Sequence, residues 1–88
     1  MTAITLEKRG QQAWITLNRP QAKNMLDGDA FVELADAWQE VRDDDDIRVA
    51  VLTGAGKEDF CCGGDLGKVI PLWTGARQPE NPVEERLL

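Results

Sequence analysis

The residues best placed to do chemistry lie between Val49 and Leu66, in VAVLTGAGKEDFCCGGDL, where an apolar run, glycine turns and adjacent cysteines follow one another. Gly63-Gly64 brings backbone free of side chains to the start of a helix that Asp65 can cap. Backbone N–H groups exposed at such a start receive a negatively charged oxygen. Metal chemistry is not expected, because the chain has 2 cysteines, Cys61 and Cys62, and no histidine. That set supplies too few ligands, at the wrong spacing, for zinc or an iron–sulfur cluster. The peptide plane holds neighbouring cysteine side chains apart, so both thiols are expected reduced and buried as small packing residues.

Two nucleotide-binding patterns fail on spacing. A phosphate loop needs four residues between its first glycine and a Gly-Lys pair followed by Ser or Thr, whereas Gly54-Ala55-Gly56-Lys57 runs into Glu58. A dinucleotide fingerprint needs a third glycine where Asp59 stands. Taken alone, the residues favour a plainer arrangement, two glycine turns linking a buried strand to a helix without a ligand.

The elements that position this stretch follow from the hydrophobic pattern. Ile4 and Leu6 alternate with Thr5 and Glu7, and after Arg9-Gly10-Gln11-Gln12 the alternation resumes at Ala13, Ile15 and Leu17, which predicts a β-hairpin. Asn18-Arg19-Pro20 ends the second strand, and a loop runs to about Leu26. From a cap at Asp27, Phe31, Leu34, Trp38 and Val41 recur at helical spacing opposite Asp29, Glu33, Asp36 and Glu40, an amphipathic helix of about four turns. Four carboxylates, Asp43 to Asp46, end it and stay solvated; a calcium loop would need alternating oxygens and a glycine turn that this run lacks.

A third strand over Ile47 to Thr53 completes a β-β-α-β order, with Val49 to Leu52 reading as buried on both faces. Leu66 to Ile70 predicts a short helix broken at Pro71, and Leu72 to Pro79 an irregular, mobile segment. Asn81-Pro82-Val83-Glu84-Glu85 is the punctuation of a helix opening, yet Leu88 follows within about two turns. The expectation is therefore an amino-terminal unit, residues 1–70, then a segment, 71–88, that begins a helix continued in a longer chain.

At 88 residues the chain forms one small domain at most, and 42% hydrophobic with 30% charged residues is ordinary for a globular protein. A net charge of −6 without a basic face argues against nucleic acid as a partner. No long apolar run suggests a membrane span or signal peptide, so a cytoplasmic location is expected.

Several segments, in order, resemble the crotonase superfamily of enoyl-CoA hydratases and isomerases: Ile15 to Pro20 (ITLNRP), Ala22-Lys23-Asn24-Met25-Leu26, the amphipathic helix, and Val51 to Leu66 (VLTGAGKEDFCCGGDL). The resemblance covers roughly residues 3–70. It implies an α/β fold, the first β-β-α unit and following strand of a crotonase-like spiral, incomplete in this chain. The implied ligand is an acyl-CoA thioester, with coenzyme A part of the substrate and no separate cofactor or metal. The family holds the enolate-like thioester oxygen between two backbone N–H groups, and Gly64 matches the first donor, at a position where the family more often has alanine. By the same resemblance Ala22, Lys23 and Met25 lie along the CoA moiety, and Cys62, Gly63, Gly64, Asp65 and Leu66 form the wall behind the thioester and adenine.

Lys23 is the local cation expected to meet phosphate in an acidic protein. Arg19 is expected to serve the structure rather than the ligand, and Trp14, Trp38 and Trp73 to be packing residues, with Trp73 the one of the three to be exposed or to meet a partner subunit. The family's acid–base glutamates and second oxyanion donor lie downstream, and none of Glu33, Glu40, Glu58, Glu80, Glu84 or Glu85 sits at a matching position. The implied activity is enoyl-CoA hydration, with these residues inactive alone and homo-oligomers formed by the full-length family proteins. The other reading is a non-catalytic module for acyl-CoA contact or subunit assembly.

Overall fold

The computed structural model describes residues 3–88. Alternating side chains around a tight turn make the hairpin: β1 (Ile4–Arg9) and β2 (Gln12–Leu17) pair antiparallel, from Ile4 opposite Leu17 to Arg9 opposite Gln12. After a crossover helix, β3 (Val49–Gly54) returns parallel to β2, with Gln12 opposite Val49 and Leu17 opposite Gly54. The sheet order is β1-β2-β3, which places β2 in the middle, and the expected β-β-α-β order is present.

Being central, β2 is the buried strand: Ala13, Ile15 and Leu17 are closed to solvent and, with Ile4 and Ala37, form the centre of the molecule. Leu6, Leu26, Leu34, Val41 and Cys61 pack against Ile4, Ile15, Leu17 and Ala37. Full burial of a side chain such as Ile15 is worth about 1.5–3 kcal/mol.

The crossover helix α1 (Gly28–Asp43) starts at Asp27, whose Oδ1 accepts from the Ala30 N–H at 2.9 Å. Its other oxygen receives the Arg19 guanidinium at 2.6 Å, so Arg19 fixes the residue that caps the helix. At the far end Asp44 breaks the helix with extended backbone. Asp44 and Asp46 receive Lys8 at 3.1 and 3.5 Å, so the acidic run is tied to β1 rather than wholly solvated. The Asp46 N–H on its Oδ1, then Lys8, holds the Asp44 carboxyl below the usual carboxylate range.

The third strand corrects the sequence reading in two respects. It begins at Val49 rather than Ile47, and it is not buried on both faces: Val49 is 50% and Leu52 38% exposed. Apolar composition identifies a strand that wants cover, but β3 is the edge of this sheet.

The segment after Asp65 also differs. Residues 66–69 form turns, and the helix α2 (Ile70–Thr74) contains Pro71 instead of stopping at it. Proline fits the first turn because its missing N–H has no partner there. Leu72, expected in an irregular segment, is thereby buried. The last helix, α3 (Pro82–Arg86), opens as its punctuation predicts, with Asn81 accepting from the Glu84 N–H at 2.8 Å.

Packing of α3 onto α1 is specific. Leu87 and Val83 lie over Gly28, Arg86 reaches Asp36 at 3.1 Å, and Arg77 grips Glu84 at 2.7 Å while donating to the Lys68 carbonyl at 2.7 Å. The Arg77 guanidinium, then the Glu80 N–H, holds the Glu84 carboxyl below its ordinary value. Trp38 and Trp73 are 41% and 47% exposed, which limits their role as packing residues. Trp14 carries the Arg9 guanidinium on its ring at 4.4 Å.

Candidate functional site

Two loops meet at the C-terminal ends of β2 and β3, and their backbones are laced together. The first leaves β2 at Asn18, turns through a short 3₁₀ segment (Pro20–Ala22) and places Lys23 and Asn24 in the left-handed region, both at φ 55. The second leaves β3 at Gly54 and reaches Gly64. Between them the Cys62 N–H donates to the Lys23 carbonyl (3.0 Å), the Leu26 N–H to Gly63 (2.9 Å) and the Asp65 N–H to Leu26 (3.0 Å). Leu26 and Gly64 form a parallel bridge.

Asn24 holds this junction, and sequence reasoning gave it no role of its own. It is buried, with its Oδ1 accepting from the Arg19 N–H at 2.9 Å and its amide nitrogen donating to the Ala55 and Asp59 carbonyls at 3.0 and 2.9 Å. Each polar atom of the side chain thus binds backbone of one loop or the other. Asparagine tolerates left-handed backbone better than most residues, which was the available signal. Gly54 is required for a different reason: a Cβ there would collide with the Phe60 carbonyl oxygen and stand 2.9 Å from Asn24 Nδ2.

The interlacing brings Ala22, Lys23 and Met25 beside Cys62, Gly63, Gly64 and Asp65. Lys23 is exposed and joins no ion pair among the described residues. Met25 is half-buried and its N–H donates to the Ala22 carbonyl. Leu66 is the exception, 80% exposed. The cysteines are not the buried pair expected: Cys61 is half-buried, accepting from the Gly63 N–H, and Cys62 is exposed, its thiol donating to the Ala22 carbonyl. A loop stretched across the end of the sheet has no second layer to cover Cys62.

At Gly63 the backbone takes φ 105, a conformation that glycine alone adopts freely. The amides of Gly63 and Asp65 are both hydrogen-bonded, to Cys61 Sγ and the Leu26 carbonyl. The Gly64 N–H between them meets no acceptor among the described residues. Asp65 caps the turn that follows, its Oδ1 accepting from Gly67 and Lys68 at 2.8 and 3.2 Å. Only turns and the five-residue α2 lie beyond, so little helix dipole reaches Gly64, and the environment of its N–H owes more to the bridge with Leu26.

Outside the junction, a hollow of about 260 Å³ between the start of α1, α2 and α3, lined by Asp27, Gly28, Lys68, Leu72 and Leu87 among others, contains none of the expected site residues. The described residues include no cluster of three or more Cys, Asp or Glu able to hold a metal ion. No helix of the described residues is long and apolar enough to cross a membrane.

Residues 7–85 match the family model described as enoyl-CoA hydratase/isomerase, which takes in both loops and the Gly64 bridge. The chain belongs to this family. The (E)-benzylidenesuccinyl-CoA hydratase of Thauera aromatica is 52% identical over 68 residues, covering 77% of this chain and 27% of that protein. The short-chain-enoyl-CoA hydratase of Clostridium acetobutylicum is 36% identical over 71 residues, covering 81% of this chain and 27% of its own length. Among solved structures, a carnitinyl-CoA dehydratase from Mycobacterium avium superposes with a TM-score of 0.74 at 35% identity, over 83% of this chain and 31% of that one. The fold is accordingly the amino-terminal part of the crotonase fold, and the chain spans between a quarter and a third of the length of these enoyl-CoA hydratase/isomerase relatives.

Proposed function

We propose that the chain supplies the substrate-positioning part of an enoyl-CoA hydratase-like site, binding an acyl-CoA thioester with the Gly64 N–H directed at the thioester oxygen. The observation that carries this reading is the unpartnered Gly64 amide, set between two hydrogen-bonded neighbours at a backbone bridge. Hydration of an enoyl thioester builds negative charge on that oxygen as water adds across the double bond. A donor preset for the charge contributes on the order of 3 kcal/mol to the transition state.

In this proposal Lys23 meets CoA phosphate, Ala22 and Met25 lie along the CoA moiety, and Cys62 to Asp65 back the thioester. Leu66, 80% exposed, contributes least of the expected set. Coenzyme A arrives as part of the substrate, and no separate cofactor is required. The second donor and the acid–base pair are supplied from outside these residues, so the 88-residue chain alone binds without turning over. A cytoplasmic location and assembly into homo-oligomers belong to the same proposal. The other reading is a module that contacts acyl-CoA and assists assembly without chemistry.

The test is a titration of the 15N-labelled chain with a short-chain enoyl-CoA, followed by the loss of its conjugated absorbance. Binding is expected to shift the Gly64 and Lys23 amides, with no absorbance loss above buffer. Lys23→Gln is expected to weaken binding about three- to tenfold and to flatten its salt dependence. Absence of any Gly64 response at millimolar ligand overturns the proposal, and turnover overturns its restriction to positioning.

A further inference from the structure

We propose that Trp73 is a positioning residue for the Gly64 amide, acting through Phe31; this rests on the reading of Gly64 as an oxyanion donor. Gly64 has no side chain to fix its orientation, and its neighbour Gly63, at φ 105, has nothing within 4 Å of where a Cβ would stand. The bridge to Leu26 restrains Gly64 from one side. On another side stand Phe31 Cε2 and Ile70 Cδ1, each 3.6 Å from the place a Gly64 Cβ would occupy. Phe31 and Ile70 thus wall the Gly64 peptide across a gap that would take one methyl group, and that gap sets how far the peptide can swing toward α1.

Phe31 lies in the first turn of α1 and is only half-buried, so burial alone does not hold its ring. Trp73 does. The two rings meet edge to face, centroids 5.3 Å apart at 65°. Trp73 is itself 47% exposed, and its indole N–H donates to the Leu87 carbonyl at 2.8 Å, which ties its orientation to the end of α3. That end is held in turn by the Arg77–Glu84 pair, the Arg86–Asp36 pair and Leu87 against Gly28. Contacts therefore run from α3 through Trp73 to Phe31, and Phe31 borders the peptide that carries the unpartnered N–H.

The experiment compares 15N relaxation and butyryl-CoA binding in the chain, in Trp73→Leu and in Trp73→Phe, which keeps a ring but loses the indole N–H. The Gly64 order parameter is expected to fall from about 0.85 toward 0.6 in Trp73→Leu, less in Trp73→Phe, with β2 amides unchanged. Affinity should drop about fivefold in Trp73→Leu at unchanged far-UV circular dichroism. If Trp73→Leu does not fold, Trp73→Phe decides the matter by the same two readouts. A rigid Gly64 in both variants overturns the positioning role, whatever the affinities. Failure of the donor reading looks different: the Gly64 amide of the unaltered chain ignores butyryl-CoA while still loosening in the variants.

Discussion

Replacing Asn24 by alanine tests whether the two loops are held by one side chain. The substitution deletes three hydrogen bonds of 2.9, 3.0 and 2.9 Å and leaves the Arg19 N–H and the Ala55 and Asp59 carbonyls without their partner. Each such bond contributes about 1 kcal/mol net, more where the abandoned group stays buried. Asp59 is exposed and its carbonyl is rescued by water, so the three together come to about 2–3 kcal/mol. Alanine must also adopt φ 55, which adds about 1 kcal/mol relative to asparagine. The total, about 3–4 kcal/mol, is a large share of the margin of a small domain, whose stability at about 0.05–0.15 kcal/mol per residue comes to about 4–13 kcal/mol here. In urea, at a slope of about 1.5 kcal/mol/M, the midpoint should fall by about 2 M. Asn24→Gly removes the same hydrogen bonds without the backbone cost, so it should lie about 1 kcal/mol above Asn24→Ala. An Asn24→Ala chain within 1 kcal/mol of the original would refute the clamp, and equal stabilities of the two variants would refute the backbone part.

Two glycines at the same junction should respond in opposite directions to a methyl group. Gly54→Ala drives a Cβ into the Phe60 carbonyl and within 2.9 Å of Phe60 Cα, and is expected to cost about 3 kcal/mol in urea unfolding. Gly64→Ala places its Cβ at ordinary contact distance, 3.6 Å from Phe31 and Ile70, and should raise the melting temperature by a few degrees through reduced freedom of the unfolded chain, about 0.4–1 kcal/mol. A carboxyl whose folded pKa is depressed stabilises above its unfolded pKa and loses that contribution as pH falls through the folded value. The Arg77 guanidinium depresses Glu84, so α3 should loosen from Arg77 as pH falls to and below the ordinary carboxylate range, read as a change in Trp73 fluorescence. Arg77→Gln should return the Glu84 carboxyl, followed by 13C NMR, to the ordinary range, and an unchanged midpoint would remove the pairing as the cause.

The parts of the fold legible in the sequence were those set by local rules. Alternation located β1 and β2, the Asp27 cap and three- and four-residue spacing located α1, and Asn81-Pro82 located α3. The parts misread depend on what lies beyond the segment. Val49 to Leu52 has the composition of a covered strand, but exposure is decided by whether another strand or layer lies alongside, and no local pattern carries that information. Pro71 is a stop only for a helix that begins at Leu66; with the helix beginning at Ile70, the same proline sits in a first turn where it costs no hydrogen bond. Cys62 was expected inside on residue type alone, although its loop runs over the end of the sheet.

The candidate site shows the same division. The residues point to backbone at Gly63-Gly64 and the family resemblance to Gly64, and the structure adds the reason its amide is free: the neighbouring peptides are held by Leu26 and Cys61, so the only unsatisfied donor of the three is the middle one. That arrangement needs Leu26 and Gly64 in register, and Asn24, by binding both loops, holds that register. A buried side chain whose hydrogen bonds all go to the two loops thus sets the geometry of the proposed donor. Loss of Asn24 should accordingly abolish the Gly64 response to acyl-CoA under conditions where the sheet is still formed, because the bridge fails before β1 and β2 separate.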